Sequence, residues 1–157
     1  MHRQTGFTLI ELVITIVLAG IIVVVSMKMI SQGLNAYLAG ENATNAEQQA
    51  RIALERMTRD IRAIRSSSSI STATSSQLTF TDFSGSSVSY TLSGTNLLRN
   101  SQILASGITS ISFTYYDSSG NTTATTASIR YIAMSINVTQ SNANFTASTA
   151  IFPENLA

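Results

Sequence analysis

The sequence contains no cysteine, which removes disulfide frameworks, thiol catalysis and thiolate metal sites together while leaving the redox compartment open. Its one histidine is His2, so the remainder of the chain has no imidazole for proton transfer or metal ligation. Charged residues make up only 11% of the chain and the formal net charge is +1. That gives no global field strong enough to argue for nucleic acid or an acidic substrate. Beyond Arg65 the charges reduce to Asp82, Arg99, Asp117, Arg130 and Glu154, too scattered to suggest a carboxylate dyad or a metal cage. Serine is plentiful, but with no histidine after His2 a Ser-His-Asp triad cannot form, and no Ser-x-x-Lys pattern offers a lysine in its place. The expectation is a protein that is not an enzyme and holds no cofactor or metal.

What the chain does have is a long apolar run. From position 7 to position 30 nearly every residue is apolar, the exceptions being Thr8, Glu11, Thr15, Gly20, Ser26 and Lys28. About 20 such residues span a bilayer core as a helix. The basic Arg3 ahead of the run predicts a cytoplasmic N-terminus, with everything after position 30 on the other side. A conventional secretory signal would be shorter and end in a small-x-small cleavage site, and no clear one follows here. Glu11 is the anomaly. An acidic residue at a membrane helix centre costs about 2.5 to 3.5 kcal/mol, less near the end, so a carboxylate in the membrane points to function and to a missing cation. Lys28 lies about 25 Å further along the helix at 1.5 Å per residue, out of reach, which favours an intermolecular partner.

Gly6 followed by Phe7-Thr8-Leu9-Ile10-Glu11 resembles the class III signal of type IV pilins and of the pseudopilins of type II secretion, in which a short basic leader ends in Gly before Phe. The resemblance implies that a prepilin peptidase cuts after Gly6 on the cytoplasmic side and methylates the new amino terminus at Phe7. It also implies an assembly role for Glu11, which would meet the N-terminal amine of a neighbouring subunit as helices pack into a filament core. Physics supports that pairing independently. Opposite charges about 4 Å apart at an effective dielectric near 20 attract by about 4 kcal/mol, comparable to the insertion cost of the carboxylate.

Past the apolar run, Ala43, Ala46, Ala50, Ala53 or Leu54, Met57, Ile61 and Ile64 recur in steps of three and four and predict that the helix continues to about Arg65. Opposite this stripe Glu47, Arg51, Glu55 and Arg59 repeat at i,i+4, with Arg56 and Asp60 in the same relation, which reads as a solvated face laced by small ion pairs. The only proline is Pro153, so Gly20, Gly33 and Gly40 are the weak points of the helix. The arginines at 56, 59, 62 and 65 raise the question of nucleic acid. Cations near a helix C-terminus complement its dipole, neighbouring acids pair some of them, and no aromatics interleave to stack bases, so the structural reading prevails.

At Ser66-Ser67-Ser68-Ser69 the composition turns to Ser, Thr, Asn and Gly, and helical spacing gives way to alternation. Leu78 and Phe80; Val88, Tyr90 and Leu92; Ile111, Phe113 and Tyr115; and Ile132, Met134, Ile136 and Val138 each give one strand a dry face, and residues 145–151 add an edge. Turns are expected at Ser84-Gly85, Ser93-Gly94 and Asp117-Ser118-Ser119-Gly120. Asp117 is read as a turn residue; the 117–121 loop lacks the alternating acidic ligands of a calcium site. The sequons at Asn42, Asn121, Asn137 and Asn144 follow from composition and carry no role.

The fold class is therefore α+β: a long N-terminal helix, membrane-spanning then amphipathic, packed on a small antiparallel sheet. Its expected parts are a cytoplasmic leader at 1–6, a transmembrane or filament-core helix at 7–30, its continuation at 31–65 and a β head at 66–157. The head resembles minor pilins and J-type pseudopilins through Leu97-Leu98-Arg99-Asn100, the strand Ile108–Tyr116 with Asp117 and Gly120, and the ending Phe152-Pro153-Glu154-Asn155-Leu156. Many pilins close a C-terminal loop with a cysteine pair, which this chain lacks. The resemblance implies a structural subunit of a type IV pilus or secretion pseudopilus that sits first in a bacterial inner membrane. Its partners would be the prepilin peptidase, other pilin or pseudopilin subunits and the inner-membrane assembly platform. The rival reading is a membrane- or tip-tethered module whose Ser/Thr-rich strands bind a surface, a secreted substrate or DNA.

Overall fold

The computed structural model describes residues 7–141 and 143–156. One helix, α1 (Leu9–Arg62), is assigned without a break through Gly20, Gly33 and Gly40. The chain divides into two units, Met1–Gly40 and Glu41–Ala157. In the first, every described residue is exposed, including the Leu, Ile and Val residues that fill Leu9 to Val25 apart from Glu11, Thr15, Ala19 and Gly20. The helix is long and apolar enough here to cross a membrane. An apolar surface of this extent is stable only against lipid or other apolar helices.

In the second unit α1 has one buried face, formed by Ala46, Ala50, Ala53, Met57 and Ile61. Of the expected stripe, Ala43 is exposed and Leu54 half-buried, so the packed face starts one turn later than the spacing predicts and takes Ala53 in preference to Leu54. Small residues along its first half allow the helix to lie close on its sheet. The helix ends at Arg62 because the chain turns into strand pairing at once: Phe83 N–H donates to Ala63 O at 2.9 Å and Arg65 N–H to Thr81 O at 3.2 Å. Asn155 Nδ2 donates to Ile64 O at 3.1 Å, tying the last turn of the chain to this exit.

The strands form two antiparallel sheets where one was expected. The first is a meander in chain order, β1 (Ile70–Ala73), β2 (Leu78–Thr81), β3 (Ser87–Ser93), β4 (Asn96–Arg99) and β5 (Gln102–Ser106). The second has the order β6 (Ile108–Tyr116), β7 (Tyr131–Gln140) and β8 (Ala143–Ile151). The break falls at Gly107, the single residue between β5 and β6. Its φ of +76° lies in the left-handed region, and a Cβ there would come within 2.8 Å of Gln140 Nε2 and 3.3 Å of Thr139 O. Glycine alone takes that corner without strain, and after it Thr139 N–H donates to Gly107 O at 2.9 Å, starting the new ladder.

The alternating residues face one core. Leu78, Phe80, Val88, Tyr90 and Leu97 of the first sheet, and Ile108, Ile111, Phe113, Ile132, Met134, Ile136 and Val138 of the second, are buried with the helix face. Each fully buried large apolar side chain stabilises by about 1.5–3 kcal/mol relative to exposure. Tyr115 Oη donates to Thr74 O at 2.8 Å, joining the second sheet to the β1–β2 turn of the first. The expected turns are present. Gly85, Gly94 and Gly120 all have positive φ, and Asp82 and Asp117 organise two of these turns by accepting backbone N–H bonds two and four residues ahead at 2.9 Å. The Ser84 hydroxyl and the Ser86 amide together hold the Asp82 carboxyl below its ordinary range.

Candidate functional site

Three residues carry the functional reading of the N-terminal segment: Gly6, Phe7 and Glu11. Gly6 lies outside the described residues. Phe7 is 78% exposed and precedes the helix. Thr8 occupies the capping position, since its carbonyl accepts the first intrahelical bond, from Leu12 N–H at 3.2 Å. Its hydroxyl accepts from Glu11 N–H at 3.4 Å, while Glu11 Oε2 accepts from Thr8 N–H at 3.5 Å and from the Thr8 hydroxyl at 3.4 Å. These reciprocal bonds, long as they are, form a capping box, Thr-x-x-Glu, in which the acid also favours the positive end of the helix dipole. Thr8 and Glu11 at this spacing ahead of an apolar run are themselves the sequence signature of such a box. Among the described residues Glu11 makes no ion pair.

The arginines separate into different environments. Arg51 pairs with Glu47 at 2.7 Å on the exposed face as expected. Arg56 and Asp60 are also paired, at 3.3 Å, but not on a solvated face. Asp60 is 8% exposed and is the buried charged residue among the described residues. It accepts from Tyr90 Oη at 2.6 Å and from Arg99 Nε at 2.5 Å, so β3 and β4 are both fastened to the helix through one carboxylate. The hydrogen bond to Asp60 pushes the Arg99 guanidinium further up, and burial, reinforced by Asp60, pushes the Tyr90 phenol far above its usual range. Asp60 lies one step from Ile61 and three from Met57 in the buried stripe, which is the signal that places it inside. Arg59, Arg62 and Arg65 are exposed. Among the described residues no buried side-chain nitrogen or oxygen lacks a hydrogen-bond partner.

Residues 1–27 match the family model described as the prokaryotic N-terminal methylation motif. The chain thus carries the prepilin-type signal of type IV pilin-like proteins, a signal for prepilin peptidase processing, and the helix that begins within it at Leu9 is long and apolar enough to cross a membrane. No curated protein matches the chain.

Proposed function

We propose that this protein is a minor pilin or pseudopilin, a structural subunit incorporated into, or priming, a type IV pilus or a type II secretion pseudopilus. The observation that carries the reading is the methylation motif at residues 1–27 joined to an apolar helix whose described residues are all exposed through Gly40. Residues 1–6 act as the leader, removed by cleavage between Gly6 and Phe7, and Phe7 becomes the N-methylated terminus. Residues 7–30 hold the subunit in the inner membrane and later in the filament core, residues 31–65 continue the helix, and residues 66–157 form the head, outside the cytoplasm. Glu11 then has two successive uses. It caps its own helix before cleavage, and it meets the charged amine of a neighbour once cleavage has created one.

Intact mass and N-terminal sequencing of the chain, expressed with and without a prepilin peptidase, test the reading. The expected product with the peptidase lacks residues 1–6 and begins with methylated Phe7. A chain left uncut by an active peptidase would reduce the segment to an ordinary membrane anchor and overturn the assignment.

A further inference from the structure

The sheet edges differ in how they are protected. β1 has only four residues. Ser106 at the end of β5 is met by the α1 side chain of Gln49, whose Oε1 accepts its N–H at 3.0 Å. Along β6, Phe113 N–H donates to Ser75 O at 2.8 Å and Tyr115 O accepts from Thr123 N–H at 2.9 Å. β8 is different. It has nine residues, it pairs with β7 on one side only, and that register runs without a bulge. No charged residue stands anywhere from Tyr131 to Pro153. Among the described residues no backbone hydrogen bond covers its outer edge. Proteins suppress strand addition at such an edge with lysine, proline, a bulge, brevity or a covering helix or loop; β8 has none of the first four, and α1 beside it leaves two grooves open.

Beside β8 the helix closes two adjoining grooves. One, of about 260 Å³, is lined by Glu47, Arg51, Leu54, Glu55, Phe145 and Ala147. The other, of about 470 Å³, is lined by Leu54, Glu55, Thr58, Arg59, Arg62 and Thr149. Phe145, Ala147 and Thr149 are alternate positions on one face of the strand, repeating at about 6.8 Å, the interval at which any extended chain laid beside β8 would present its own side chains. Leu54, Phe145 and Ala147 give the first groove its apolar lining, and of its three charged residues Glu47 and Arg51 pair with each other while Glu55 is shared with the second groove. The second sets Arg59 and Arg62 against the single carboxylate of Glu55, and among the described residues neither arginine has an ion pair.

The geometry points to β8 as a strand-addition site for an extended segment of a partner polypeptide. That segment places an apolar side chain in the first groove and an Asp or Glu, two or four residues along, against Arg59 and Arg62. Backbone hydrogen bonds to the β8 edge supply the sequence-independent part of the affinity, and the two grooves select the sequence. The charge requirement excludes the simplest self-pairing, because a second copy of β8 brings no carboxylate to the arginines. The site belongs to the unit Glu41–Ala157 and does not depend on processing at Gly6.

The test uses the full chain in detergent and a fluorescent nonapeptide, Thr-Val-Thr-Leu-Thr-Glu-Thr-Val-Thr. Comparison peptides carry Lys for Glu, or N-methyl groups on the amides that would face β8. The expected result is binding of the Glu peptide about tenfold tighter than either comparison peptide, with amide exchange slowed along β8. Charge reversal by Arg59→Glu with Arg62→Glu, at exposed positions that leave far-ultraviolet circular dichroism unchanged, inverts the Glu-over-Lys preference. No binding of the Glu peptide, or equal binding of the N-methylated peptide, overturns the proposal. So does concentration-dependent protection of β8 amides without peptide, which would mean that a second copy takes the edge.

Discussion

A carboxylate on the packed side of a helix is stable only if its lone pairs are matched, and Asp60 has three donors, Tyr90, Arg99 and Arg56. The three are not equivalent. Arg99 and Tyr90 come from the sheet, whereas Arg56 belongs to the same helix and its side chain is 40% exposed. Removing Arg99 leaves the buried charge dependent on a neutral phenol and a half-solvated partner. Arg99→Met is therefore expected to destabilise the fold by about 2–3 kcal/mol. Removing both charges together, as Asp60→Leu with Arg99→Met, is expected to cost less than the sum of the two single changes, because no orphaned ion remains. Chemical unfolding of the four proteins followed by circular dichroism measures the coupling. Additive costs would mean that Asp60 and Arg99 are merely neighbours.

At the scale of elements, two phenols stitch separate pieces together: Tyr90 ties β3 to α1, and Tyr115 ties β6 to the β1–β2 turn. Burial raises both above the ordinary phenol range. A raised folded-state pKa means that their contribution is fully present below the unfolded phenol value of about 10 and is lost as pH rises beyond it, since the unfolded chain gives up the proton while the fold retains it. The urea midpoint is expected to fall above about pH 10, and Tyr115→Phe should flatten part of that fall while costing about 1 kcal/mol at neutral pH. An unchanged alkaline slope in that variant would remove Tyr115 from the account. Periodicity exposed these elements unevenly. β2, β3 and β7 alternate and were legible, as were β8 and the part of β6 that follows its register shift between Ile108 and Ser110. β1 was hidden by the serine-rich composition around it, and β4 and β5 by the register shift between Leu97 and Leu98 that breaks the alternation. The division into two sheets rests on one glycine whose φ no hydrophobic pattern records. The i,i+4 spacing from Arg56 puts Asp60 on the solvated face, whereas its place one step from Ile61 puts it on the buried side, and its partners, 30 and 39 positions away, come only from the fold.

For the whole molecule the question is whether Glu11 serves its own helix or its neighbours, and capping and charge pairing make different demands on it. A glutamine completes a capping box as a glutamate does but carries no charge, while Thr8→Val keeps the charge and removes the capping hydroxyl. Losing a cap costs about 0.5–2 kcal/mol of helix stability, borne by each subunit alone. Losing the charge removes an attraction of about 4 kcal/mol and also an insertion cost of about 2.5–3.5 kcal/mol, leaving a net penalty near 1 kcal/mol per contact, or about fivefold in incorporation. In cells with a prepilin peptidase and filament machinery, Glu11→Gln and Glu11→Ala are both expected to be processed normally and to be depleted about fivefold from the sheared filament fraction. Thr8→Val should be processed and incorporated near the parental level. Immunoblots of membrane and sheared fractions decide the matter, because normal incorporation of Glu11→Gln alongside loss of Glu11→Ala would make the residue a helix cap and end the charge-pairing account.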